Sequence, residues 1–254
     1  MHKVNAQKSF YPYCFHMYRT DCFMHEDFKI HGFSKSTFAY TIYEGMDDAV
    51  DDEYETFVIQ DSKSNNIKEN VDIVYEEESI FKNDKFYKTK RTEKVSYDDI
   101  NYTLSWLYKN EEVYFNPEHL LYRSSRLKKL LTTKLKKYNI QKEKNHYLYN
   151  FPLTYKGKTV DFRVENKSHD NDEMYDNRLI DSLVIYKYIN GKKVRKLLTK
   201  KFGKEEMPLL AYEILGYIPI PNNKSHVVLV ISYLNRGWEG LPHVTHFELL
   251  GMEL

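Results

Sequence analysis

Glu239 is a carboxylate held in a constrained loop beside an aromatic ring: Gly237 and Gly240 bracket Trp238 and Glu239, and Pro242 follows. An indole packed against a carboxyl excludes water, raises its pKa and leaves a proton to donate, which is one way a general acid arises near neutral pH. The same four residues also read as a turn that only glycine enters easily, with Trp238 pinned into the core and Glu239 turned outward or bonded to nearby backbone N–H groups. The structural reading is the expectation here.

Two clusters hold metal-ligand types. Asp47, Asp48, Asp51 and Asp52 run on into Glu53 and Glu55, and clustered carboxylates suit hard cations. They lack the alternating Asp order, the following glycine and the distant bidentate glutamate of a calcium loop, so a solvated loop tip is expected. Cys14, His16, Cys22, His25 and His31 crowd the first part of the chain. Zinc needs four such ligands to converge, and this spacing matches no finger, so Cys14, Cys22 and His25 read as core thiols and a surface imidazole. No cofactor is expected. The chain has no G-x-S-x-G elbow and no glycine-rich phosphate loop, with only 9 glycines in all. A non-catalytic binding module, or one associated with a cell envelope, is therefore the expected class. The alternative is a metal-dependent or carboxylate-using hydrolase acting through Glu239 or the acidic loop.

A third cluster is basic. Asn116, Pro117 and Glu118 read as a helix start, and Leu120, Leu127, Leu131, Leu135 and Tyr138 recur as one apolar stripe of a long amphipathic helix. Arg123, Arg126, Lys128, Lys129, Lys134, Lys136 and Lys137 occupy the rest of it. Arg123, Arg126, Lys129 and Lys137 are the candidate contacts for phosphates or an anionic membrane surface. A solvated outer face is the plainer reading, because 38 basic and 37 acidic side chains nearly cancel over the whole chain. That balance gives no field toward nucleic acid, and none is expected as a partner. No apolar run is long enough to cross a membrane as a helix.

The elements that must position these groups are mostly strands. Residues 37–43 alternate with Phe38, Tyr40 and Ile42 on one side, and 56–59 read as the return strand, closed by a polar turn over 61–66. Between 71 and 95 the chain is charged, with short strands at 72–75 and 86–89. Ser96, Asp98 and Asp99 resemble a helix N-terminus, with Leu104, Leu107 and Tyr108 as its apolar side. Later, 159–164 alternate and 165–177 read as a polar loop. Asn190-Gly191 between two β-rich runs is the strongest hairpin signal in the chain. The run 227–231 reads as a doubly buried central strand, paired with a last strand from 243 to 250.

The expected class is thus α+β, mainly antiparallel β with sandwich-like or propeller-blade-like sheets and one long helix. It divides into a β unit over 1–112, the basic helix over 113–145 and a second β unit over 146–254, or forms one continuous domain. Gly32-Phe33-Ser34, Ile59-Gln60-Asp61 and the closing Gly237-Trp238-Glu239-Gly240 resemble a bacterial family of predicted secreted proteins of unknown function. The resemblance covers most of the chain outside 71–112. It implies a largely β shape and an exported or periplasmic compartment, and it implies no activity. The first twenty residues read as no signal peptide as written. Cys14 and Cys22 pair if the chain is exported and stay free thiols in a reducing compartment.

Overall fold

The computed structural model describes residues 3–5, 24–46, 52–108, 124–142, 147–170, 178–202, 209–235 and 244–254. They fall into two compact units. A middle unit comprises Glu26–Lys144, and a terminal unit comprises Met1–His25 with Asn145–Leu254. Both are built mainly of antiparallel strands, and the described residues contain one helix.

In the chain order, β1 (Lys3–Asn5) belongs to the terminal unit, and β2 (Met24–Phe33) leads into the middle one. There β3 (Thr37–Met46), β4 (Asp52–Asp61), β5 (Ile67–Lys82), β6 (Lys85–Tyr97) and β7 (Ile100–Tyr108) follow, each hydrogen-bonded to the next. The hairpins close on residues able to take positive φ. Asn83 and Asp84 join β5 to β6 at +52° and +58°, and Asp98 and Asp99 join β6 to β7 at +45° and +60°. Two-residue turns of this hand match the twist of the strands they connect. The helix start expected at 96–99 is corrected accordingly. The β-branched and aromatic run after Asp99 forms β7, and the acids serve as turn residues rather than a first helical turn. The charged stretch 71–95 also forms longer strands than expected, because β5 and β6 zip together from Asp72↔Ser96 to Lys82↔Lys85.

The helix α1 (Ser125–Lys137) covers one face of this sheet. Leu127, Leu131 and Leu135 pack with Ala39, Phe57, Ile59, Val71, Ile73, Tyr75 and Val95. Ser124 is the N-cap, with an extended ψ of +153° and its side chain accepting from the Leu127 N–H. The start expected at Asn116, with Pro117, Glu118 and Leu120, lies outside the described residues; within them Ser124 caps α1, and the apolar stripe from Leu127 onward faces the sheet. After Asn139 turns the chain at φ +54°, β8 (Gln141–Lys142) returns beside β2.

The terminal unit holds β9 (Tyr147–Tyr149), β10 (Leu153–Tyr155), β11 (Lys158–Asp170), β12 (Arg178–Ile189), β13 (Lys192–Lys201), β14 (Leu209–Pro219), β15 (His226–Asn235) and β16 (Val244–Glu253). β12 lies between β11 and β13, and β15 between β14 and β16. β9 joins β14 to β1, and Met24 and His25 of β2 run parallel to Val244 and Thr245 of β16. Asn190 and Gly191 form the β12–β13 turn at +49° and +77°, as their sequence demands. The polar loop expected from 165 is shorter than that: β11 continues to Asp170, because Glu165, Asn166 and Lys167 pair with Val184, Leu183 and Ser182. Val160, Phe162, Leu183, Ile185, Leu209, Leu229, Ile231 and Leu250 form the core. Each large apolar side chain fully buried there contributes about 1.5–3 kcal/mol.

Candidate functional site

The middle unit encloses a charged cluster beneath the start of α1. Glu55, Tyr75, Arg91 and Glu93 are all buried, Arg91 and Glu93 completely. Period-2 alternation puts them on the helix-covered face, since Tyr75 and Glu93 are paired across β5 and β6. Tyr75 Oη donates to Glu55 Oε2 at 3.2 Å, and the Arg91 guanidinium sits 4.2 Å from the Tyr75 ring centroid. Ser124 donates twice to Glu93, from Oγ to Oε1 at 2.6 Å and from its N–H to Oε2 at 3.1 Å. Burial pushes the Glu93 carboxyl above its ordinary value, and the Ser124 hydrogen bonds and the charges of Arg91 and Lys128 offset this only in part. Burial also pushes the neighbouring Tyr102 hydroxyl up to about 12, with the Glu93 charge adding to it. Two carboxylates, a guanidinium and two phenols have the chemistry of a catalytic centre. Glu55, Tyr75, Arg91 and Glu93 are closed off from solvent, and the bonds from Ser124 to Glu93 give the cluster a structural role, which is to hold the positive end of a helix.

The other end of α1 is held the same way. Glu69 accepts from Lys134, from Lys137 at 2.5 Å and from Tyr138 Oη at 3.0 Å, while Lys134 also reaches Asp98 at 3.2 Å. Burial works to raise the Glu69 carboxyl, but the hydrogen bonds from Lys134, Lys137 and Tyr138 prevail and hold it below its ordinary value. Of the four anion candidates on the basic helix, Lys137 is thus engaged by Glu69, and Arg126 lies 4.0 Å over the Tyr102 ring. Lys129 is exposed, and Arg123 lies outside the described residues.

The other sequence candidates are placed only in part. Gly237, Trp238, Glu239 and Gly240 lie outside the described residues, as do Asp47, Asp48, Asp51, Cys14 and Cys22. Asp52 opens β4 and His25 lies in β2. Among the described residues no three His, Cys, Asp or Glu side chains converge as metal ligands. An open recess of about 350 Å3 in the terminal unit is lined by Asn150, Phe151, Phe162, Ile214, Leu215 and Gly216. None of these six residues carries a titratable side chain.

A different surface carries exposed chemistry. Across β11, β12 and β13 the inward positions Phe162, Leu183 and Ile185 enter the core, so the alternate positions face out. Arg163, Tyr186 and Lys196 form one cross-strand row, and Asp161, Tyr188 and Lys193 the next. Lys193 Nζ lies 4.0 Å from the Tyr186 ring centroid, and the Arg163 guanidinium 4.6 Å from that of Tyr188. Arg163 also bonds Asp161 at 2.8 Å, and Lys193 bonds Glu165. Lys167 and Lys201 pair with Leu183-flanking Ser182 and extend the same face. Among the described residues, Lys167, Lys196 and Lys201 have no carboxylate within ion-pair distance, while Asp181 is engaged by His169 at 2.8 Å. The signal was present in sequence: Tyr186-x-Tyr188 on one strand, then Lys192, Lys193, Arg195, Lys196, Lys200 and Lys201 with no acid among them. No family model, no curated protein and no solved structure matches this chain.

Proposed function

We propose that the protein is a non-catalytic binding module whose contact surface is the outward face of β11, β12 and β13, and whose ligand is an anionic polymer. The observation that carries this reading is the pair of rows Arg163–Tyr186–Lys196 and Asp161–Tyr188–Lys193 on one exposed sheet face. The tyrosines fix two cations in place, and Lys167, Lys196 and Lys201 add charge that no described carboxylate takes up. Lysines along an edge strand also discourage pairing with other chains. That role needs neither an arginine on β11 nor two aromatic rings on the strand between. The ion pairs Arg163–Asp161 and Lys193–Glu165 are exposed and screened by water, so an incoming anion displaces them at small cost.

Heparin and long-chain polyphosphate are suitable probes for an anionic polymer. Titration calorimetry at low salt should show binding that weakens steeply with added salt. The double variant Lys196→Glu with Lys201→Glu should weaken it at least 10-fold, whereas Lys129→Glu on α1 should not. Absence of binding, or equal loss from the α1 variant, overturns the reading.

A further inference from the structure

We infer that the polymer this face takes is a single-stranded nucleic acid, an inference that rests on the reading above. Charge alone does not distinguish polyanions, but the spacing and setting of the two tyrosines do. Tyr186 and Tyr188 stand two residues apart on the strand between β11 and β13, so both rings emerge on one face about 7 Å apart. Each is half-buried at its base and braced by a cation, Lys193 over Tyr186 and Arg163 over Tyr188. A ring fixed in this way loses little freedom when a flat group stacks beside it. The Arg163 guanidinium is itself a planar stacking surface, fixed by Asp161. Sulfated or phosphate polymers have no flat apolar group to use such a platform. A splayed single strand has one per nucleotide, with phosphates between them.

The cations lie where a backbone would run. Lys193, Lys196 and Lys201 are outward positions along β13 on one side of the tyrosines, and Arg163 and Lys167 lie on the other side along β11. The described acids on the same face are Asp161, Glu165 and Asp181, of which the first two are matched by Arg163 and Lys193 and the third is hydrogen-bonded to His169. A duplex fits poorly, because its bases are stacked internally and cannot reach the rings. The near-neutral balance of 38 basic and 37 acidic residues speaks against nucleic acid only as a chain average. A single face can carry a net positive field while the average stays near zero.

Fluorescence anisotropy with labelled single-stranded oligonucleotides, the same sequence as a duplex, heparin, and phosphatidylglycerol vesicles tests the inference on the full chain. Single strands should bind at least 10-fold more tightly than the duplex. Tyr186→Ala and Tyr188→Ala should each weaken the single strand roughly 10-fold while leaving heparin within 2-fold. Should an alanine variant fold poorly, a photoreactive 5-iodouracil oligonucleotide on the unaltered protein should crosslink to Tyr186 or Tyr188. Crosslinks confined to other residues overturn the inference. So does equal affinity for duplex and single strand, or vesicle binding without oligonucleotide binding. If heparin binds and depends on Lys196 while oligonucleotides show no tyrosine dependence, this inference fails and the polyanion reading stands. If neither binds, both fail.

Discussion

Ser124 Oγ gives its hydrogen to Glu93 Oε1 at 2.6 Å while accepting the Leu127 N–H at 3.1 Å, so a single hydroxyl ties a sheet carboxylate to the first turn of α1. The first turn contains no acid of its own. Glu93, supplied from β6 thirty-one residues earlier, takes the place of that missing charge at the positive end of the helix. Glu69 does the corresponding work at the other end through Lys134, Lys137 and Tyr138.

Glu93→Ala should destabilise the middle unit by about 3 kcal/mol, since it removes the acceptor of two Ser124 hydrogen bonds and the carboxylate facing the buried Arg91. Glu93→Gln keeps the shape and behaves differently with pH. Burial raises the folded-state pKa of Glu93 above its ordinary 4.5, so the folded state holds the proton more tightly than the unfolded chain. Stability from that proton is fully present below the ordinary value and is lost as pH rises toward the raised one. The glutamine variant should therefore gain on the unaltered protein between about pH 4 and 7. Urea unfolding at both pH values checks it, and a gap that stays constant or shrinks defeats the explanation.

Glu69 has the opposite sign. Its folded-state pKa is held below the ordinary 4.5, so its contribution is present above that value and is lost as pH falls through the lowered one. Lys134 and Lys137 are raised above 10.5, so their share persists below that value and is lost only as pH rises through the raised pKa. Glu69→Ala should cost about 3 kcal/mol at neutral pH, because it leaves the buried Lys134 ammonium with Asp98 alone as its counter-charge. The double change Glu69→Leu with Lys134→Leu should cost less than Glu69→Ala alone, since no uncompensated buried charge remains. Thermal melts of the three variants decide the order.

Much of the fold was readable because local chemistry and final structure agree. Asn190-Gly191 takes the turn its side chains favour, and Asp61 accepts from the Lys63 and Ser64 N–H groups at 2.9 Å as its polar turn implies. The Leu127, Leu131 and Leu135 stripe packs as its spacing requires. Readings failed where a residue type serves two structures. Asp98 and Asp99 suit a first helical turn and also a positive-φ hairpin, and only the partner strand β6 decides between them. The buried cluster was illegible for another reason. Glu55, Arg91 and Glu93 look like ordinary surface charges in a charged stretch, and only register across β4, β5 and β6 brings them together. The Tyr186 and Tyr188 face was missed because charge was summed over the chain rather than over one side of a sheet.

Gly32 and Gly216 should be intolerant of alanine. Gly32 sits at φ +154°, and an added Cβ would lie 2.1 Å from the Gln141 carbonyl oxygen of β8. At Gly216, φ is +145° and the Cβ would lie 2.4 Å from the Tyr149 carbonyl oxygen of β9. Both obstacles are backbone, so relief requires a strand to move. Each substitution should lower stability by about 2 kcal/mol or more. Gly157→Ala is the control, with a positive φ of +73° in the left-handed helical region but open space around the added atom, and it should cost about 1 kcal/mol. Equal losses at all three positions in denaturant titrations would show that close approach contributes nothing.

Leu229→Asp should prevent the terminal unit from folding, and the reason lies in its two neighbours. Leu229 pairs with Tyr217 of β14 on one side and Leu250 of β16 on the other, so no edge of β15 is open at that point. Its side chain is 0% exposed and packs with Ile231, Val227, Leu209 and Phe162 in the same core. An aspartate there either ionises without a counter-charge or keeps its proton at the cost of a raised pKa, and it leaves a void where the leucine was. The combined loss is comparable with the 5–15 kcal/mol that holds a domain together. Val194→Asp offers the comparison, because Val194 is 51% exposed on β13 and an added charge there meets water and lysines. Circular dichroism and size exclusion should show a native-like Val194→Asp protein and an unfolded or aggregated Leu229→Asp one. A folded, monomeric Leu229→Asp protein would mean that β15 is not the buried centre of its sheet.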